Sequence, residues 1–261
     1  MITLNTWTNW NPDQYGLYKN ERLRPGIDLF EQITIESPKT IYDLGCGTGT
    51  LTNLLHNKWP GASVIGVDSS ETMLGKANEA YPDIIWENSQ LQNWKPNVNP
   101  DIIYTNAALH WIDNHSEIIP GWIKSLNPNG IFAMQVPNNW REPSHSNLAK
   151  VVRSGDWNNK LLPKLRELPI LSIEEYYDLL NPITSHINIW ETTYIQILEG
   201  VNPVLEWLKG TLIPPLLDLL DKKEQLLFID QYAQLVSRDY PIRKDGKTIF
   251  PFKRLFIVAT K

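Results

Sequence analysis

Residues 39–44 (KTIYDL) carry the pattern of a short buried strand. They run directly into Gly45-Cys46-Gly47-Thr48-Gly49, and Thr50 then opens a stretch with Leu51, Leu54 and Leu55 at helical spacing. That is a strand-loop-helix unit. The three glycines let the backbone turn sharply and let a ligand approach the main chain, because no Cβ obstructs it, and the start of the following helix favours a negatively charged group there. The expectation is a nucleotide-like ligand at the carboxyl end of this strand. Residues 63–68 (SVIGVD) form a second strand pattern that ends in Asp68, where a carboxylate commonly accepts hydrogen bonds from ribose hydroxyls. The plainer alternative is a tight turn in which Asp68 caps the next helix.

The alternation continues. Residues 69–80 read as a helix capped by Ser69 or Ser70, 83–86 and 101–106 as strands, 116–126 as a helix and 130–136 as a fifth strand. Strands alternating with helices predict an α/β fold with a parallel, doubly wound sheet. After Pro137 the rhythm changes: 147–180 and 202–240 read as helical with proline interruptions, and 187–198 and 248–260 as long β segments. The last two strands are expected to pair as a hairpin at the sheet's edge, with the helical insertions forming a cap. The corresponding division is 1–30 as an amino-terminal lid helix, 31–140 as the core, 141–240 as a cap that includes strand 185–198, and 241–261 as the final strand.

Composition narrows the function. A formal net charge of −5 argues against general affinity for nucleic-acid phosphates. Cys46 is the single cysteine, so no intramolecular disulfide and no cysteine metal cluster can form, and no metal is expected. Residues 1–10 lack a signal-peptide pattern, and no run approaches the ~20 apolar residues of a membrane span. A cytoplasmic, monomeric protein that contacts neither membrane nor nucleic acid is the expectation. The chain has 11 tryptophans and 19 prolines, which points either to an aromatic-lined cavity or simply to an aromatic core.

The spacing Gly45-x-Gly47-x-Gly49 after Asp43 differs from the G-x-G-x-x-G of nicotinamide enzymes and resembles the class I S-adenosylmethionine (SAM) methyltransferases. The resemblance implies a Rossmann-like, seven-stranded, mostly parallel sheet with an antiparallel edge hairpin. It also implies that Asp43 helps hold the cofactor's amino-acid end through the loop and water, that Asp68 binds the ribose and that Met73 packs on the adenine, with Gly45, Cys46, Gly47 and Ser69 in the same cofactor-binding set. Where the family usually has an acidic residue near the adenine amine, this chain has Ser89-Gln90-Leu91, so Gln90 would accept through its side-chain carbonyl and Leu91 would contact the ring through its backbone. Asn106, at the end of the fourth strand, completes the expected cofactor set.

A narrower resemblance covers nearly the whole chain. It is carried by Trp10-Asn11-Pro12, Tyr15, Tyr18, Arg22-x-Arg24-Pro25, Asn106-Ala107-Ala108-Leu109-His110-Trp111, Gln135-Val136-Pro137-Asn138, Trp190-Glu191-Thr192-x-Tyr194, Glu206-Trp207-Leu208-Lys209-Gly210-Thr211 and Phe252-x-Arg254-Leu255-Phe256. These runs are similar to the trans-aconitate 2-methyltransferases. The resemblance implies a SAM-dependent O-methyltransferase that esterifies a small polycarboxylic acid and releases S-adenosylhomocysteine. A carboxylate acceptor is already ionised near neutral pH, so no general base is obligatory and His110 is only a weak candidate. A polycarboxylate needs local donors, and the expected substrate set is Tyr15, Tyr18, Arg22, Trp111, Gln135, Asn138, His145, Tyr194, Tyr240 and Arg254, with Arg24 and Arg141 as further cations. Tyr15, Tyr18 and Arg22 share one helical face, either as a lid or as tyrosines packed on the core with Arg22 solvated. Gln135 and Asn138 contact substrate or serve loop hydrogen bonds. Esterification of another acid, or SAM binding by a non-catalytic regulator, are the alternatives.

Overall fold

A computed structural model describes residues 19–261, with the side chains of 19–22 outside that description. In chain order the elements are helix α1 (Lys19–Glu31), strand β1 (Thr40–Leu44), α2 (Thr50–Lys58), β2 (Ser63–Asp68), α3 (Glu71–Ala80), β3 (Ile85–Asn88), β4 (Ile102–Asn106), a 3-10 turn (Leu109–Trp111), α4 (His115–Ser125) and β5 (Ile131–Pro137). There follow α5 (Pro143–Ser154), α6 (Asn158–Leu161), α7 (Ile173–Leu180), β6 (His186–Glu199), α8 (Pro203–Lys209), α9 (Pro214–Leu217), α10 (Lys222–Asp239) and β7 (Lys247–Thr260).

The seven strands form one sheet in the order β3-β2-β1-β4-β5-β7-β6. β1 to β5 are parallel to their neighbours, while β7 runs antiparallel to β5, with Ile131 opposite Thr260 and Pro137 opposite Arg254. The expected parallel sheet with an edge hairpin is therefore present. The order reverses between β1 and β4, and such a switch point opens a crevice at the carboxyl ends of the strands.

The central strands are apolar because helices cover both faces, leaving no solvated side to alternate with. Tyr42, Leu44, Val67, Ile103, Phe132 and Leu255 form one buried cluster with Ile119, Trp122 and Ile123 of α4 and Tyr176 and Leu180 of α7. In a second cluster, Phe228, Tyr232 and Val236 of α10 pack with Trp157, Leu161, Trp207 and Phe250. Two compact units follow these clusters. One holds Arg22–Asn138, Pro169–Thr192 and Lys253–Lys261; the other holds Asn139–Leu168 and Thr193–Phe252. Among the described residues most tryptophans serve the core: Trp59, Trp94, Trp122, Trp140, Trp157 and Trp207 are buried, while Trp86, Trp111 and Trp190 are partly so.

Helix starts were written locally. Ser70 caps α3 by accepting from the Met73 N–H, and Ser172 with Glu175 and Asp221 with Glu224 form reciprocal capping boxes at α7 and α10. The stretch 147–180, read as helical from sequence, is broken into α5, α6 and α7, and only α7 packs with the sheet's own cluster. Among the described residues no helix is long and apolar enough to cross a membrane.

Candidate functional site

The glycine turn leaves β1 with Gly45, Gly47 and Gly49 at φ of 77°, 56° and 77°, the left-handed region that side chains avoid. Gly45 and Cys46 donate their N–H groups to the Val67 carbonyl at 2.8 and 3.1 Å, which fastens the turn to β2. A Cβ on Gly45 would lie 2.2 Å from the Ala108 Cβ, whereas a Cβ on Gly47 would meet nothing within 4 Å. The turn is thus packed at its base and open at Gly47.

Asp68 closes β2 beside this opening. Its Oδ2 accepts from the Gly47 N–H and its Oδ1 from the Ser70 N–H, both at 2.9 Å. The two bonds fix the carboxylate and leave further lone pairs for a ligand's hydroxyls. The cap of α3 is Ser70 and not Asp68, whose bond to the Ser70 N–H belongs to the preceding turn.

Asp43, 2 % exposed, lies under the turn and accepts from the Thr52 hydroxyl at 2.6 Å. Burial pushes its carboxyl up to about 7, against the Thr52 bond and helped by the nearby charge of Asp68. Burial, together with Asp43 and Asp68, pushes the Cys46 thiol far up, which disfavours its thiolate. Tyr104 is the register partner of Asp43 on β4 and donates its hydroxyl to the Gly26 carbonyl at 2.7 Å, tying α1 to the sheet.

Beyond Asn106, Ala107 takes a positive φ of 52° and leads into the turn Leu109–Trp111, where the His110 and Trp111 rings lie 4.6 Å apart. His115 holds this turn: its Nε2 lies 2.9 Å from the Leu109 carbonyl and its Nδ1 2.6 Å from the Tyr176 hydroxyl. A carbonyl only accepts, so Nε2 carries a proton, and in the neutral ring Nδ1 then accepts from the Tyr176 hydroxyl. At the end of β5, Asn138 donates its side-chain N–H to Glu191 and its backbone N–H to the Lys253 carbonyl, and Arg254, buried, stands opposite Pro137.

Asp43, Gly45, Cys46, Gly47 and Asp68 therefore lie together around the turn. Ser69 is exposed at the adjoining turn, and Met73 is half-buried on the first turn of α3. Gln90 is exposed, while Leu91 is buried with its side chain 3.8 Å from where a Gly45 Cβ would stand. Asn106 and Gln135 are register partners, and Trp111, Asn138 and Arg254 belong to the same unit. His145, Tyr194 and Tyr240 belong to the other unit. There the His145 Nδ1 lies 2.9 Å from the Ser144 hydroxyl and its ring packs edge-on against Trp140, while the Tyr240 hydroxyl accepts from the Ser144 N–H. Arg24 and Arg141 are exposed. Tyr15, Tyr18 and the Arg22 side chain lie outside the described residues.

Sequence reading missed Thr52, Tyr104, Trp86 and the pair His115 and Tyr176. Trp86 fills the space that side chains at Gly49 and Gly66 would occupy. Thr52, one helical turn after the glycines, was the most accessible of these signals, because a hydroxyl there can turn back toward the strand's carboxylate.

A methyltransferase-domain family profile matches residues 15–195. The chain is 37% identical over 252 residues to a trans-aconitate 2-methyltransferase of Yersinia pestis (strain Pestoides F), covering 96% of this chain and 98% of the relative. It is 36% identical over 254 residues to one of Escherichia coli O139:H28, covering 97% and 99%. Among solved structures, the YcgJ protein of Bacillus subtilis matches with a TM-score of 0.58 at 15% identity, over 96% of this chain and 99% of that one. A Haemonchus contortus phosphoethanolamine N-methyltransferase 2 in complex with S-adenosyl-L-methionine matches with a TM-score of 0.57 at 13% identity, over 95% and 56%. These structural likenesses show a shared fold.

Proposed function

Since the chain belongs to the trans-aconitate 2-methyltransferase family of SAM-dependent methyltransferases, we propose that it esterifies one carboxylate of a small polycarboxylic acid such as trans-aconitate. The observation that carries this reading is sequence identity to relatives of that name extending over 96% of the chain, so that it covers the acceptor half as well as the cofactor turn.

The residues at the switch point suit the cofactor. Asp68 has lone pairs left for ribose hydroxyls, Gly47 presents open backbone, and Asp43 offers a buried carboxylate toward a cationic amino-acid end, through the turn or a water. Ser69 and Met73 border the ribose and adenine, with Gln90 and Leu91 at the ring's amine. When bound, the cofactor supplies a methyl group on a sulfonium, which is electrophilic without further activation. The acceptor's carboxylate oxygen forms the new C–O bond as the C–S bond breaks, giving a methyl ester and S-adenosylhomocysteine. No proton leaves the acceptor, so His110 need not act as a base. The protein's task is orientation and exclusion of water, and Trp111, Asn138 and Arg254 are proposed as acceptor contacts.

Asp43 gives this reading a pH signature. An ordinary aspartate titrates near 3.8 and Asp43 near 7, so the folded protein holds this proton more tightly than the unfolded chain. Its contribution to stability is whole below about 3.8 and is lost as pH rises through 7, costing roughly 4 kcal/mol once Asp43 is fully ionised with no cation beside it. A cationic ligand reverses the preference. Binding of SAM at pH 6.5 is therefore expected to release a fraction of a proton, detected by calorimetry in buffers of different protonation heat, and Asp43→Asn should abolish that release. Equal heats in all buffers for the wild type would contradict it.

A panel of acceptors tests the substrate class. Turnover of short polycarboxylates with little activity on long apolar acids is expected. Turnover of long apolar acids alone would move the assignment to an acyl carboxylate, and tight SAM binding with no acceptor would favour a regulator.

A further inference from the structure

On the sheet face that carries Asp43, polar side chains continue across β4 to β5. Asp43 is paired with Tyr104; Asn106 follows Tyr104 by two residues and so points the same way, and Gln135 is the register partner of Asn106. The first two are satisfied, Asp43 by Thr52 and Tyr104 by the Gly26 carbonyl. The row then changes character. Gln135 is 0 % exposed with neither its amide oxygen nor its amide nitrogen hydrogen-bonded, and the buried Asn106 Oδ1 has no partner either.

Native interiors seldom keep an amide unpaired at both ends, because its desolvation is then uncompensated. Gln135 Nε2 and Asn106 Oδ1 are a complementary donor and acceptor on strands about 5 Å apart, yet they do not bond to each other. The unmet demands are two carbonyl oxygens, which want N–H donors, and one NH2 group, which wants an acceptor. The two ligands of the proposed reaction have those chemistries: a cationic amino-acid end on the methyl donor and an anionic carboxylate on the acceptor. A neutral amide can face both without being repelled by either.

We propose, on the basis of the function argued above, that Gln135 bridges the two ligands. Its Oε1, together with Asn106 Oδ1, receives N–H groups of the donor's amino-acid end, and its Nε2 donates to a carboxylate oxygen of the acceptor, orienting the other oxygen for attack. Gln135 is thereby the residue that demands a carboxylate rather than an uncharged acceptor.

Two variants separate the two halves. Gln135→Leu removes both: S-adenosylhomocysteine binding measured by calorimetry should weaken about tenfold and the acceptor's KM should rise about a hundredfold. Its melting temperature without ligands should equal or exceed that of the wild type, since two unpaired buried polar atoms are gone. Gln135→Glu keeps the carbonyl side and turns the donor side anionic. It should bind S-adenosylhomocysteine within threefold of the wild type, yet raise the acceptor's KM further than Gln135→Leu does. A lower melting temperature for Gln135→Leu, or acceptor KM values within threefold of the wild type in both variants, would overturn the assignment. If the wild type turns over no carboxylate, the proposed function fails instead, and S-adenosylhomocysteine binding by the three proteins still decides the cation-facing half.

Discussion

Asp68→Ala is expected to weaken SAM binding by at least about a hundredfold. The carboxylate accepts from the Gly47 and Ser70 N–H groups, so its loss both frees the open end of the glycine turn and removes the acceptor proposed for the ribose hydroxyls. Hydrogen bonds to a charged group contribute about 1.5–3 kcal/mol each, and two such bonds to the ligand account for the effect. Asp68→Asn should do almost as much damage, because both oxygens already face N–H donors and an amide must turn its own NH2 toward one of them. Titration with S-adenosylhomocysteine measures this directly, and affinity within threefold of the wild type in the alanine variant would refute the role.

The second large effect separates two glycines that look equivalent in the sequence. At Gly45 a methyl group would meet the Ala108 Cβ at 2.2 Å, on a backbone with φ of 77°. Neither strain can relax through a flexible chain end. Gly45→Ala should therefore cost about 3 kcal/mol, from left-handed strain together with overpacking, and lower the melting temperature by about 10 °C. Gly47→Ala has a positive φ but open space around its Cβ, so it should lose only about 1 kcal/mol of stability while its methyl group obstructs the cofactor. Thermal melts and binding titrations of the two variants should give opposite rankings; equal melting temperatures would show that contact with Ala108 does not constrain the turn.

What could be read from the chain follows from how local the cause is. The unit from β1 to β2 was legible because apolar runs, glycines and a terminal aspartate all act within a few residues. The edge hairpin was legible from the length of its two β segments. The division of 147–180 was not: α5, α6 and α7 share helical composition, and what sends Tyr176 to the sheet's cluster is its contact with His115, sixty-one residues away. The meeting of His145 and Tyr240 at Ser144, within one unit, has no local signal either, since Ser144 and Tyr240 are far apart in the chain. Likewise, the unpaired state of Gln135 exists only once β4 and β5 are aligned.

The central claim, methyl transfer to a small polycarboxylate, is tested most directly by incubating the protein with SAM and trans-aconitate and following S-adenosylhomocysteine and the acid by mass spectrometry, against a control without acceptor. Stoichiometric appearance of S-adenosylhomocysteine and of an acid that has gained one methyl group in place of one proton is the predicted result. Bound SAM that remains intact while trans-aconitate is unchanged would contradict the claim.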